Sequence, residues 1–203
     1  MRENRRVARL LKSAKLKAAN AVPEDIDFSA RRGVDKSQIM DLLMCQWIER
    51  GQHVVLTEPT GTGKTWLGCA LGREATRKGL SVNYQRMPRL MEDMEVAHAD
   101  GSLPALRTRL AKARLLILDD WGLEAVNAEQ RNALLEIMDD RYGKYSTVVV
   151  SQLPTEEWYA SLGDNTLADA ILDRLMHNAH RLSLKGESMR KRRSELTQSE
   201  HSS

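Results

Sequence analysis

Aromatic residues are scarce in this chain, only 4% of 203 residues with a single Phe. That argues against a fold whose core rests on aromatic β-sandwich packing. Cysteine is nearly absent. Cys45 and Cys69 each sit among apolar residues, and two such thiols make no disulfide framework, so the simpler reading is a reducing, cytoplasmic setting. No apolar run approaches the roughly 18 residues of a spanning helix. The basic N-terminus, MRENRRVARLLKSAKLK, is followed by no uninterrupted apolar stretch and does not read as a secretory leader. Repeats and low-complexity segments are lacking, and only the tail after Arg193 has the composition of a disordered segment.

What is present is a chain 41% hydrophobic and 29% charged, enough for one α/β domain with a short extra element. Its net charge of +3 is unevenly spread. Arg2, Arg5, Arg6, Arg9, Lys12, Lys15 and Lys17 stand against Glu3 at one end. Arg181, Lys185, Arg190, Lys191, Arg192 and Arg193 stand against Glu187 near the other, which leaves the body acidic. Two basic ends on an acidic body suit a polyanionic partner met at the ends, or else two solvated segments.

Periodicity divides the chain. Residues 4–19 have a helical pattern with Val7, Leu10, Leu11 and Ala14 on one face and cations opposite. Pro23 marks a break, and a helix is expected over 37–50, ending at Gly51. HVVLT (53–57), SVNYQ (81–85), LLILD (115–119), STVVVS (146–151) and RLSL (181–184) read as strands. Helices are expected at 64–78, 88–99, 104–113, 128–142, near 155–161 and over 166–178. Strands alternating with helices imply βαβ units: an α/β fold with a five-stranded, mainly parallel sheet, helices on both faces and a basic N-terminal helix. The strands are apolar throughout, as expected when helices cover both faces.

The strongest motif is Glu58-Pro59-Thr60-Gly61-Thr62-Gly63-Lys64-Thr65, between a strand and a helix. Its glycines let backbone N–H groups close on phosphate oxygens, and the helix that follows adds its positive end. Pro59, Thr60, Gly61, Thr62, Gly63, Lys64 and Thr65 are therefore the candidate ATP-binding residues. Lys64 would reach the β- and γ-phosphates, and the Thr65 hydroxyl would ligate Mg²⁺. One position departs: the pattern wants Gly at 58, where this chain carries a carboxylate unfavourable beside a triphosphate. The second half of the site is Asp119-Asp120 after LLIL, 55 residues beyond Lys64. A strand end is where ligands of parallel sheets collect. Asp119 is expected to hold Mg²⁺ mostly through water, and Asp120 to polarise the attacking water.

TGTGKTWL, LLILDDWG, SQLP, LADAILDRL and HNAHRLSLKGESMRKRR together resemble the IstB-like ATP-binding family. These are transposition helper ATPases of bacterial insertion sequences, related to DnaC helicase loaders and DnaA-type initiators within the AAA+ class. The resemblance runs from about residue 2 to 193 and is specific, beyond a generic P-loop. It implies a basic N-terminal helix (1–22) that is the remnant of a longer region, an AAA+ ATPase domain (23–193) and a tail (194–203). It also implies that Ser151 and Gln152 sense the γ-phosphate and that Arg174 acts as an arginine finger in a neighbouring subunit. For Ser151 the local alternative is strand-end capping. For Arg174 it is an intrahelical pair with Asp173 or Asp169. Met87–Ala113 stands where initiators and loaders insert an extra helix, and Arg86, Arg89, Arg107, Arg109, Lys112 and Arg114 there would face phosphates, or else form ordinary helix-surface pairs. Ile26 and Phe28 fall where the family's linker packs near adenine. Trp66 and Trp121 flank the two motifs as packing residues. His177 and His180 lack metal-ligand company.

The leading expectation is an ATPase that oligomerises on DNA, through phosphate contacts with little sequence preference, and recruits or stimulates a transposase. A DnaC-like helicase loader would use the same engine. A hydrolysis-deficient DNA-binding remnant follows if Glu58 blocks turnover. A small-molecule kinase is disfavoured, since no substrate lid or acceptor site is evident.

Overall fold

Apolar runs of five or six residues form the three central strands, flanked by more polar edge strands, and all lie side by side in one direction. The computed structural model describes residues 2–28, 34–57 and 63–184. The strands are β1 (His53–Thr57), β2 (Val82–Arg86), β3 (Leu115–Asp119), β4 (Ser146–Ser151) and β5 (Ala179–Ser183). Their order is β2-β3-β4-β1-β5, and each neighbouring pair is parallel. β3 and β4 are buried along their whole length. Successive side chains alternate between two cores. Val54, Leu56, Ile117, Val148 and Val150 face one, while Val55, Leu116, Leu118 and Val149 face the other. Apolar runs without polar interruption thus reflect two covered faces.

The first face is covered by α1 (Arg2–Ala14), α2 (Lys36–Leu43), α3 (Gln46–Glu49) and α4 (Lys64–Arg77). The approach of α4 is close because Gly68 and Gly72, one turn apart, face the sheet at Val150 and Ile117. A Cβ at Gly72 would lie 2.7 Å from Ile117 Cδ1 and 3.1 Å from Leu16 Cδ2. The second face is covered by α5 (Met87–Asp100), α6 (Leu103–Lys112), α7 (Ala128–Arg141), α8 (Trp158–Leu162) and α9 (Asn165–Met176). Asn127 starts α7 with a reciprocal capping box, its side chain accepting from the Gln130 N–H while Gln130 accepts from the Asn127 N–H.

Two helical expectations are revised. The continuous helix over 37–50 breaks at Cys45, whose φ is 60°. The break turns Trp47 and Ile48 into the core beside Ile39 and Leu42, and the Trp47 indole donates to the Leu42 carbonyl at 2.8 Å. Burial of two large side chains outweighs the unfavourable left-handed residue. The helix expected over 4–19 stops at Ala14, where Lys15 takes φ 53° and redirects Leu16 against α4. The last strand is 179–183 rather than 181–184. Expectations for residues 58–62 and 185–203, including the second basic cluster beyond Arg181 and the tail, lie outside the described residues.

At the edge where β4 begins, Arg141 is 1% exposed and faces no carboxylate among the described residues. It donates instead to the carbonyls of Leu110, Ala111, Ala113 and Ser146 and to Thr147 Oγ1. One guanidinium therefore fastens the ends of α6 and α7 to the start of β4.

Candidate nucleotide site

The strand order brings the motifs together. β1 and β3 are separated by β4, and all three end at the same edge, with Thr57 level with Ser151 and Leu118 level with Val149. Helix α4 crosses from the end of β1 toward β3 and carries Lys64 and Thr65 in its first turn. Gly63 caps it with φ 92°, a conformation that suits glycine. The candidate residues Pro59, Thr60, Gly61 and Thr62, and Glu58 before them, lie outside the described residues. Lys64 is 6% exposed despite its charge.

Thr65 and Asp119, far apart in sequence, meet directly. The Thr65 hydroxyl lies 2.9 and 3.1 Å from the two Asp119 carboxylate oxygens. Asp119 is 1% exposed. A carboxylate that deep is tolerated only with hydrogen-bond donors around it. It has two more: the Asp120 N–H at 2.8 Å and the Tyr84 hydroxyl at 2.5 Å. A hydroxyl and a carboxylate in contact are hard-oxygen donors of the kind that could hold a Mg²⁺ keeping most of its waters. Among the described residues no cluster of three or more His, Cys, Asp or Glu side chains offers a metal cage.

Asp120 adopts φ 58°, in the left-handed region that Asp tolerates better than most residues. The turn is held from below by the Trp121 N–H, which donates to the Val150 carbonyl at 2.9 Å. Its carboxylate pairs with Arg86, at the end of β2. The sequence groups Arg86 with the cations of the Met87–Ala113 segment, whereas the fold sets it at the acidic pair. Two more of that group are engaged on helix surfaces, Arg89 by Glu92 and Asp93 and Arg107 by Glu136.

Ser151 is 1% exposed, and its hydroxyl is committed to backbone: it donates to the Trp121 carbonyl at 2.7 Å and accepts from the Leu153 N–H at 3.1 Å. This is the strand-end capping geometry. Gln152, half-buried, follows it at the end of β4. Arg174 is not brought to this cluster. It stands near the C-terminal end of α9, which leads to the start of β5, level with the start of β1. Its guanidinium pairs with Asp139 of α7 and donates to the Ala170 carbonyl at 2.9 Å. The intrahelical partners expected as alternatives are not the ones used, and Asp169 instead accepts from the Tyr159 hydroxyl at 2.8 Å. Phe28 is 36% exposed, with the Lys36 ammonium 5.2 Å from its ring centroid. Trp121 is buried against Trp158, with ring centroids 5.5 Å apart.

Sequence reasoning did not single out Tyr84. The signal was there: Val82, Tyr84 and Arg86 share one face of β2 by strand alternation. That this face adjoins the acidic pair follows only once β2 is known to lie beside β3.

Fold and site together define an ATP-binding protein with a parallel α/β fold, its P-loop motif at the start of α4 and its acidic pair at the end of β3. The match to known proteins narrows this. The model of the IstB-like ATP-binding protein family matches residues 1–197, and the chain belongs to that family. An insertion-sequence ATP-binding protein of Sinorhizobium fredii is 48% identical over 190 residues, covering 94% of this chain and 77% of the relative. Among solved structures, DnaI superposes with a TM-score of 0.69 at 18% identity, covering 88% of this chain and 94% of that one. The DnaC helicase loader gives 0.62 at 19% identity, covering 73% and 87%. At such identities the structural likeness speaks for the fold alone. No helix of the described residues is long and apolar enough to cross a membrane.

Proposed function

We propose that this chain is a helper ATPase of DNA transposition: it binds Mg-ATP at the edge formed by β1, β3 and β4, assembles with copies of itself on DNA, and recruits or stimulates a transposase. The observation that carries the nucleotide reading is the contact of Thr65 with a buried Asp119, made by α4 and β3 beside Lys64. Lys64 supplies a fixed positive charge to the β- and γ-phosphates, and the N-terminal end of α4 adds partial positive charge. Thr65 and Asp119 hold Mg²⁺, which when bound neutralises phosphate charge. Asp120 orients the attacking water once its carboxylate is free of Arg86. Strands β1 and β3 stand about 10 Å apart, two strand spacings. The γ-phosphate therefore falls over the end of β4, and Gln152 is the better placed of the two sensor candidates, because the Ser151 hydroxyl serves the backbone.

The DNA reading rests on α1. Arg5, Arg6, Arg9 and Lys12 are exposed on it, and none faces a carboxylate among the described residues. The Arg6 guanidinium donates to the Gly79 carbonyl at 3.3 Å. Each phosphate such cations neutralise releases a counterion. The 48% identical relative is an insertion-sequence protein, which favours transposition over helicase loading, where the likeness is confined to fold. The test is titration of a fluorescent ATP analogue against the protein and Lys64→Ala, with DNA-stimulated phosphate release measured in parallel. Loss of a charge-assisted contact to phosphate is worth about 2 kcal/mol, some 30-fold in Kd. Unchanged affinity removes the nucleotide site. Glu58→Gly run alongside separates an active ATPase from a hydrolysis-deficient remnant.

A further inference from the structure

Asp119, the proposed Mg²⁺ ligand, is held by four contacts from three protein atoms, and three of the contacts come from the motifs: both contacts of Thr65 Oγ1 and that of the Asp120 backbone N–H. The remaining partner comes from outside any motif. The Tyr84 hydroxyl donates to Asp119 Oδ2 at 2.5 Å, the shortest contact on that carboxylate. Oδ1 accepts from the Asp120 N–H and lies near Thr65, whereas Oδ2 lies against Thr65 and Tyr84. When Thr65 turns its oxygen to a metal, Tyr84 is the donor that keeps Oδ2 in place.

The geometry assigns Tyr84 as a positioning residue for Mg²⁺: its hydroxyl fixes the rotation of the Asp119 carboxylate, so that one oxygen is presented to the metal's waters while the other is retained by β2. Several observations support this. The ring packs half-buried against the core on the α4 face, so its orientation is set independently of the hydroxyl. Tyr84 pairs across the sheet with Ile117, two residues before Asp119, which puts the phenol beside the end of β3. A second-layer hydrogen bond of this kind typically accounts for about 10- to 100-fold in metal affinity.

The inference rests on the nucleotide reading above, and its test separates the two. Binding of a fluorescent ATP analogue is titrated against Mg²⁺ for the protein, Tyr84→Phe and Thr65→Ala. Tyr84→Phe keeps the ring and removes only the donor. The expected result is a rise of about 10-fold in the Mg²⁺ concentration needed for half-maximal tightening, with metal-free ATP affinity unchanged. Thr65→Ala, which removes a proposed ligand, should abolish the tightening. If Mg²⁺ tightens binding equally in the protein and in Tyr84→Phe, the positioning role is wrong. A loss of metal-free ATP affinity and melting temperature in Tyr84→Phe, with the Mg²⁺ midpoint unmoved, makes the residue structural and overturns it too. If the unmodified protein shows no Mg²⁺ dependence at all, the nucleotide site itself is wrong and the inference falls with it.

Discussion

His53 gives the fold a defined response to acid. It begins β1, is 4% exposed, and accepts a hydrogen bond at Nδ1 from the Thr147 N–H at 3.0 Å. A ring nitrogen that accepts cannot carry a proton, so the folded state requires neutral imidazole. Burial, then the charge of Arg141, lowers its pKa from 6.5 to about 4, against a smaller opposing pull from the Arg174 carbonyl. The unfolded chain therefore binds a proton below pH 6.5 that the folded chain refuses until about pH 4. Stability is fully present above pH 6.5, falls as pH drops through this window, and levels off below about 4. The full shift is worth about 3 kcal/mol, and about 2 kcal/mol of it is lost between pH 8 and pH 5. Against a typical total of 5–15 kcal/mol for a domain, this is a large fraction. The assay is urea unfolding at pH 8, 6.5 and 5, for the protein and for His53→Asn. Asn places a carbonyl oxygen where Nδ1 accepts and does not titrate, so subtracting its profile removes the contributions of other groups. Parallel loss of stability in both proteins over this range would refute the reasoning.

Asp120→Asn should keep ATP affinity and stop phosphate release, since the amide retains size while losing the charge that polarises water; continued turnover would assign that task to another residue. Arg141→Met should cost at least about 3 kcal/mol in chemical unfolding, because it strands three buried carbonyls at about 1–3 kcal/mol each; a cost under about 1 kcal/mol would show that water or relaxation satisfies them. Arg174→Ala should leave single-subunit ATP binding intact while lowering ATP-dependent assembly and DNA affinity together, measured by sedimentation with ATP and DNA. Assembly equal to the parent's would make Arg174 no more than the tie from α9 to Asp139 of α7. DNA affinity should fall with salt at a log–log slope of roughly −0.9 per phosphate contacted.

Local signals carried most of the architecture. The three central apolar runs became strands because a short run of Val, Ile and Leu buries both faces between two helical layers. Four of the strands fall within one residue of their expected ends, and β5 begins two residues early. The left-handed turn at Cys45 was not legible. Residues 37–50 keep a helical pattern throughout, and only the competition of Trp47 and Ile48 for the same core as Leu42 breaks the helix. The contact between Thr65 and Asp119 was anticipated in kind, since both motifs belong at strand ends of one sheet.

The partners of the site residues are another matter, because they depend on strand order, which neighbouring residues do not encode. Tyr84 and Arg86 lie at the far edge of the sheet from β1. Nothing within β2 marks one to hold Asp119 and the other Asp120. Only the placement of β2 beside β3 brings alternate residues of one strand to consecutive carboxylates of the next. The same holds for Arg174, whose alternative partners Asp173 and Asp169 were on its own helix and whose partner in the fold, Asp139, is 35 residues earlier on α7. The motifs therefore identify which groups can do chemistry. The topology decides which second side chain holds each of them, and in this chain both proposed reactive carboxylates are held by the edge strand β2.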